Sequence, residues 1–255
     1  MPEAAICEVC GGTGWKIVRK GEMEGAERCE CVVRERSGRL LEAAGIPPLY
    51  RDATFENFSL LSENPISTGI LQRAFTTARA YAREYPLGLQ KPGLLFVGDP
   101  GSGKTHLAVA VIRRLMERGF EAVFVDYQQL LENLRAGFDE GSGIASREAY
   151  QRALECEVLL LDDLGAHRVT EWVEDTITAL ITYRCNHGKP VVATTNLRDP
   201  EAGDLAMPSG AAGDITARHY LSERIGIRAR SRLLEMCKVV SLRGAEDYRP
   251  QKIRS

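Results

Sequence analysis

Five short runs of the chain are apolar at nearly every position: GLLFVG (93–98), AVFVDY (122–127), EVLLLDDLG (157–165), KPVVATTN (189–196) and KVVSL (238–242). A strand with one wet face alternates apolar and polar residues. Uninterrupted runs of this length instead predict strands buried on both faces, as in a parallel sheet. Between them the apolar period lengthens. Residues 66–85 place Ile70, Leu71, Phe75, Ala78, Tyr81 and Ala82 at helical spacing before Pro86 ends the run. Residues 104–118, QQLLENLR (128–135) and TEWVEDTITALITYRCNHG (170–188, closed by Gly188) also read as helices. Strands alternating with helices predict an α/β fold, a five-stranded parallel sheet with helices on both sides in three layers.

The N-terminal residues 1–36 break this pattern, with few apolar periodicities, many glycines and four clustered cysteines. SGRLLEAAG (37–45) reads as a short helix stopped by Gly45. IPPLYRDATFENF (46–58) is a proline-marked connector whose Tyr50, Phe55 and Phe58 are expected to pack on the following core. The expected division is a cysteine module over 1–36, a helix and linker over 37–65, and the α/β domain over 66–255. Residues 203–217, rich in small side chains, read as a surface insertion.

Composition narrows the picture little. At 44% hydrophobic and 27% charged residues, the 255-residue chain has the make-up of an ordinary soluble protein, and a formal charge of −2 excludes a global basic field. Locally, residues 215–255 carry ten Arg and Lys against four Asp and Glu. Such a patch can bind nucleic-acid phosphates, serve a phosphate site or form a solvated face. No run reaches the ~18 apolar residues of a membrane span, and the N-terminus lacks a signal-peptide pattern. A cytoplasmic protein without a membrane partner is the expectation, and its seven cysteines are then expected to be reduced.

The chemistry sits where strands end. GDPGSGKT, the residues Gly98, Asp99, Pro100, Gly101, Ser102, Gly103, Lys104 and Thr105, follows an apolar strand and opens a helix. In that context the glycines let backbone N–H groups wrap an anion at a helix N-terminus, as phosphate binding requires. Lys104 is expected on the β- and γ-phosphates of ATP, Thr105 on Mg²⁺, and His106 within the same nucleotide-binding stretch. Four apolar residues then deliver Asp162, expected to hold Mg²⁺ with Thr105, and Asp163, expected to polarise an attacking water. Asn196, ending a further strand, is the candidate for sensing the γ-phosphate.

At the N-terminus, Cys7 and Cys10 are separated by eighteen residues from Cys29 and Cys31. Four thiolates suit a structural Zn²⁺, and glycines after the first pair permit the turn that aims both sulfurs at one ion. An iron–sulfur cluster or unligated thiols are the other readings. A module of this size has too little core to fold without such a tie.

In this order the motifs resemble an AAA+ ATPase. LFVGDPGSGKTHLA, LLLDDLG, TEWVEDTITALITYR, PVVATTNL and RSRLLEMC with GAEDYR are similar to the bacterial helicase loaders (DnaC and DnaI) and the related IstB transposition ATPases, over roughly residues 40–252. The resemblance implies strand order 5-1-4-3-2, no C-terminal helical lid, and ATP-dependent homo-oligomers in which one subunit completes its neighbour's site. Of Arg228, Arg230 and Arg232, Arg232 matches the trans-acting position best, while Arg249 matches the family's terminal arginine. The family's second acid is often Glu, and Asp163 is one methylene shorter. The implied function is an ATPase, weak alone, that loads a replicative DNA helicase onto single-stranded DNA. The alternative is an IstB-like ATPase assisting a DNA transposase. Some loaders carry a similar cysteine-bearing segment that contacts the helicase, which implies a partner-binding role for residues 1–36 with Trp15 as a contact. A small-molecule kinase fits less well, since residues 133–152 offer only Arg135, Arg147 and Arg152 for a lid. A non-hydrolysing scaffold draws its support from Asp163.

Overall fold

The computed structural model describes residues 7–20, 23–60, 62, 64–136, 143–166, 170–199 and 220–249. The cysteine segment contains an antiparallel hairpin, β1 (Trp15–Lys20) and β2 (Met23–Arg28), followed directly by helix α1 (Glu30–Ala43). The apolar pattern did not announce this hairpin because Trp15 and Ile17, two residues apart on β1, both face solvent. Helix α1 starts seven residues before the expected helix at 37 and crosses residues 36 and 37 unbroken. Its Leu40 and Leu41 pack on the main core.

A single 3₁₀ turn (Pro48–Tyr50) leads to α2 (Pro65–Glu84), with Pro65 at its first position. The Asn64 side chain accepts the Ile66 N–H at 2.9 Å, satisfying a backbone donor that the helix start leaves open. Strand and helix then alternate: β3 (Gly93–Gly98), α3 (Lys104–Glu117), β4 (Ala122–Asp126), α4 (Tyr127–Ala136), α5 (Gly143–Glu155), β5 (Val158–Asp162), α6 (Glu171–Asn186), β6 (Val191–Thr195), α7 (Leu221–Ile225), α8 (Ile227–Met236) and β7 (Cys237–Leu242). The five strands from β3 onward form one parallel sheet in the order β4-β5-β6-β3-β7. Counted along the chain this is the expected 5-1-4-3-2 arrangement.

Successive strand residues point to opposite faces, and in the central strands β3, β5 and β6 both faces are dry. Leu94 and Phe96 join the core under α2 and α3, while Leu95 and Val97 join the core under α6, α7 and α8. On β5 the same split sends Val158 and Leu160 one way and Leu159 and Leu161 the other. This two-sided burial is why the strands read as continuous apolar runs. Strand β5 ends three residues before position 165, because Asp163 turns into the left-handed region at φ +53°. Helix α5 was not legible in the sequence: it presents few apolar residues, with Ala153 and Ser146 among its buried side chains. The expected insertion at 203–217 lies outside the described residues.

Candidate nucleotide site

The phosphate-loop residues connect the end of β3 to the start of α3. Gly101 (φ +75°) and Gly103 (φ +94°) adopt backbone conformations that other residues avoid. They are also sterically confined. A Cβ at Gly101 would lie 1.7 Å from Asp247 Oδ1, and one at Gly103 would lie 2.7 Å from the Phe58 ring. The expectation that connector aromatics pack on the core thus has a specific outcome. Phe55 and Phe58 both meet Phe75, Phe58 also contacts the His106 ring, and the His106 Nε2 sits 2.8 Å from the Thr54 carbonyl oxygen. His106 therefore fastens the connector to the first turn of α3.

Lys104 is buried, with 5% of its surface exposed, and its Nζ donates to the Asp99 carbonyl at 2.8 Å. Burial pulls its pKa down to about 8, opposed chiefly by the Asp163 carboxylate. Ser102 Oγ, inside the loop, is buried without a protein partner. A loop with a buried lysine and an unsatisfied hydroxyl fits an anion that accepts hydrogen bonds.

The acids meet this loop from β5. Asp162 Oδ1 accepts from Thr105 Oγ1 at 3.0 Å and from Thr194 Oγ1 at 2.7 Å. Its buried carboxyl has a pKa raised to about 6 by desolvation, against the lowering effect of the Thr194 and Thr105 bonds. Two oxygens on adjacent corners of an octahedral Mg²⁺ shell stand about 3.0 Å apart when the metal–oxygen distance is about 2.1 Å. The Thr105–Asp162 pair fits that edge and would hold the ion. Thr194 Oγ1 also accepts the Asp163 N–H at 2.9 Å, so one hydroxyl aligns both acids. Asn196 Nδ2 donates to Asp163 Oδ1 at 3.3 Å. The fold thus brings Lys104, Thr105, Asp162, Asp163 and Asn196 together at the carboxyl ends of β3, β5 and β6, where open α/β sheets bind ligands.

It does not bring Arg232 there. Arg232 lies on α8, exposed and paired with Glu235 at 2.8 Å, beside Cys185 of α6. Arg230 binds the buried Asp199 through both carboxylate oxygens, at 2.7 and 2.8 Å, which gives it a structural duty, while Arg228 is exposed. Two contributors escaped the sequence reading. Thr194 is an ordinary strand residue by composition. Arg243, just after β7, donates to Asp99 Oδ1 at 2.8 Å and is one charge within a basic segment. No local pattern distinguishes either.

The pKa displacements predict a pH window. Lys104 is depressed when folded, so its contribution to stability rises with pH from about 8 towards the free-lysine range. Asp162 is raised when folded, so its contribution falls as pH climbs through about 6. A phosphate needs the charged lysine and Mg²⁺ needs the carboxylate. Affinity for Mg-ATP, measured by titration calorimetry across pH, is expected to be greatest between about 6 and 8 and to fall on either side.

In the N-terminal segment the sulfurs of Cys7, Cys10, Cys29 and Cys31 all lie within 4.8 Å of one another. Cys7 and Cys29 are 3.8 Å apart and Cys10 and Cys31 are 3.5 Å apart. Sulfurs around a tetrahedral Zn²⁺ with bonds of about 2.3 Å are separated by about 3.8 Å, so the four residues fit that ion. The Gly14 N–H, 3.4 Å from Cys10 Sγ, supports a thiolate there.

Comparison with known proteins bears on this geometry. The family model described as IstB-like ATP binding protein matches residues 89–204. YdaV of Escherichia coli is 31% identical over 179 residues, covering 68% of each chain. The replicative helicase loader DnaC of Escherichia coli is 24% identical over 188 residues, covering 72% of this chain and 73% of that one. YqaM of Bacillus subtilis is 28% identical over 204 residues; these cover 77% of this chain but only 62% of YqaM, less than two thirds of its length. A crystal structure of the DnaC helicase loader superposes with a TM-score of 0.60 at 29% identity, covering 76% of this chain and 99% of that one. With its phosphate loop, acid pair and 5-1-4-3-2 sheet, the chain belongs to the AAA+ ATP-binding family of helicase loaders and IstB-like proteins.

Proposed function

We propose that the chain is an ATP-hydrolysing switch that loads a replicative DNA helicase onto single-stranded DNA. The observation that carries this reading is the pair of contacts Thr105–Asp162 (3.0 Å) and Asn196–Asp163 (3.3 Å). Together they supply a cation corner and a carboxylate placed for water beside one phosphate loop. Lys104 and the loop N–H groups hold the phosphates, and Mg²⁺ bound by Thr105 and Asp162 would neutralise charge between them. Asp163 accepts a hydrogen bond from the attacking water and Asn196 fixes that carboxylate. The remaining cation comes from outside. Arg232, exposed and turned towards Glu235, serves the site of a neighbouring copy in an ATP-dependent assembly.

The division into a cysteine module (1–36), a connecting helix and linker (37–65) and an ATPase domain (66–255) belongs to this proposal. In it, Zn²⁺ on the four cysteines shapes the module for a protein partner. Ile17 is 77% exposed and Trp15 53%, an apolar pair on one hairpin strand that suits the helicase. Replacing Cys7 and Cys10 with Ser is expected to abolish zinc in metal analysis and helicase capture, with ATP binding retained. Loss of ATP binding in that variant would count against separable modules. Exposed Arg228, Lys238 and Arg249 offer phosphate contacts for single-stranded DNA. A second reading, assistance to a DNA transposase, draws on the IstB-like match over residues 89–204. It predicts duplex-dependent rather than single-strand-dependent turnover.

The test is the ATPase rate with and without single-stranded DNA over a range of protein concentrations. Arg232→Ala is expected to retain ATP binding and lose turnover by about 10³-fold, as for other trans-acting arginines. Asp163→Asn is expected to bind ATP with turnover abolished, and its backbone should be undisturbed because Asn tolerates positive φ as Asp does. Equal rates for wild type and Arg232→Ala at all concentrations would reject completion in trans. Transfer of phosphate to a nucleoside or sugar would reject the switch.

A further inference from the structure

Three neighbouring strands end in register. Val97 of β3 pairs with Thr195 of β6, and Gly98 of β3 pairs with Leu242 of β7. The residues just past these ends, Asp99, Asn196 and Arg243, come together at the carboxyl edge of the sheet. The Arg243 guanidinium joins them, donating to Asp99 Oδ1 at 2.8 Å, to the Asn196 carbonyl at 2.8 Å and to the Leu197 carbonyl. Its side chain is 16% exposed, so these bonds are only partly screened by water. The Gly244 N–H reaches the other Asp99 carboxylate oxygen at 3.3 Å. The carbonyl of Asp99 meanwhile accepts from Lys104 Nζ at 2.8 Å. One loop residue is therefore held on its backbone by the phosphate-binding lysine and on its side chain by Arg243.

We propose that Arg243 is a positioning residue that couples occupancy of the phosphate loop to the placement of Asn196, within the ATP-dependent reading above. When Lys104 turns to a phosphate it gives up the Asp99 carbonyl. Asp99 then keeps its carboxylate bonds to Arg243 and Gly244 and, on its carbonyl, only the longer bond from the Ser102 N–H at 3.3 Å, and its shift is passed through the guanidinium to the backbone of 196–197. Arginine is suited to this because its planar fork spans several acceptors, whereas lysine offers a point charge. A purely structural role, tying β7 to the sheet, would leave the two nucleotides equally affected.

A double-substitution cycle separates these roles. Binding of ADP and of a non-hydrolysable ATP analogue, both with Mg²⁺, is measured by calorimetry for wild type, Asn196→Ala, Arg243→Gln, the double variant and Arg243→Lys. We expect the preference for the ATP analogue to fall about fivefold in each single variant and no further in the double variant, the signature of coupled sites. Arg243→Lys is expected to lose the preference as Arg243→Gln does, and it supplies the reading if the glutamine variant fails to fold. Multiplying losses in the double variant, equal weakening of both nucleotides with a lower Tm, or full rescue by lysine would each overturn the coupling. Lys104→Ala keeps this distinct from the broader reading. Unimpaired ATP binding in that variant rejects the nucleotide site itself, whereas impaired binding there with multiplying losses rejects only the role of Arg243.

Discussion

Lys104→Ala is expected to weaken Mg-ATP binding by about 10²–10³-fold while the protein remains folded. Lys104 is buried, and its pKa of about 8 leaves it mostly charged at neutral pH. Its one hydrogen bond runs to the Asp99 carbonyl, with Asp163, Asp99 and Asp162 as the nearby negative charges. A cation already desolvated and aimed into the loop interacts strongly with an entering phosphate, since little further water need be stripped from it. Truncating one partner of such a pair costs about 3–5 kcal/mol, and each 1.4 kcal/mol is about tenfold in Kd. Folding should be little affected, because position 104 opens a helix in which Ala is the most favourable residue. Calorimetric titration with Mg-ATP, alongside thermal unfolding, measures both halves of the expectation. A Kd within a few-fold of wild type would reject this loop as the nucleotide site.

Arg184→Met is expected to lower stability by about 3–5 kcal/mol, the cost of several buried carbonyls left without donors, with no direct effect on the nucleotide site. Arg184, on α6, is fully buried, yet among the described residues no carboxylate forms an ion pair with it. Its guanidinium instead donates to backbone carbonyls: Ala153 and Pro190 at 2.8 Å, Leu154 at 3.0 Å, Cys156 at 3.1 Å and Glu157 at 3.3 Å. These carbonyls lie where α5 ends, where β5 begins and just before β6, so one side chain fastens three chain segments beneath the sheet. Methionine fills the volume of the stem but leaves several buried acceptors without donors, each costing about 1–3 kcal/mol. Chemical denaturation should show a lower midpoint at unchanged slope. Unaltered stability would mean that water or backbone shifts can satisfy those carbonyls.

The amino-acid sequence by itself determined the parts of this protein whose physics is local. A glycine-rich turn between an apolar run and a helix specifies an anion cradle within eight residues, Gly98–Thr105. Five apolar runs specify five strands; the central β3, β5 and β6 are dry on both faces, as the division of Leu94 and Phe96 from Leu95 and Val97 shows, while the edge strand β7 leaves Lys238 and Ser241 exposed. Asp162, Asp163 and Asn196 were legible because strand ends in such a sheet converge on the loop. The hairpin of the cysteine segment was not, since its apolar residues face outwards. Neither was α5, whose apolar stripe is weak.

Only the tertiary structure decided which residues hold the site in shape. Thr194 aligns both acids from 31 and 32 residues away, and Arg243 reaches Asp99 across 144. Phe58 packs against the loop glycine Gly103, and Arg230 rather than Arg232 is fixed by the buried Asp199. In each case no local pattern in the chain names which residue meets which. A threonine in a strand or an arginine in a basic segment acquires its duty from the parallel register that sets β3, β6 and β7 side by side. That register follows from burying two apolar faces at once, a property of the whole sheet and not of any single run within it.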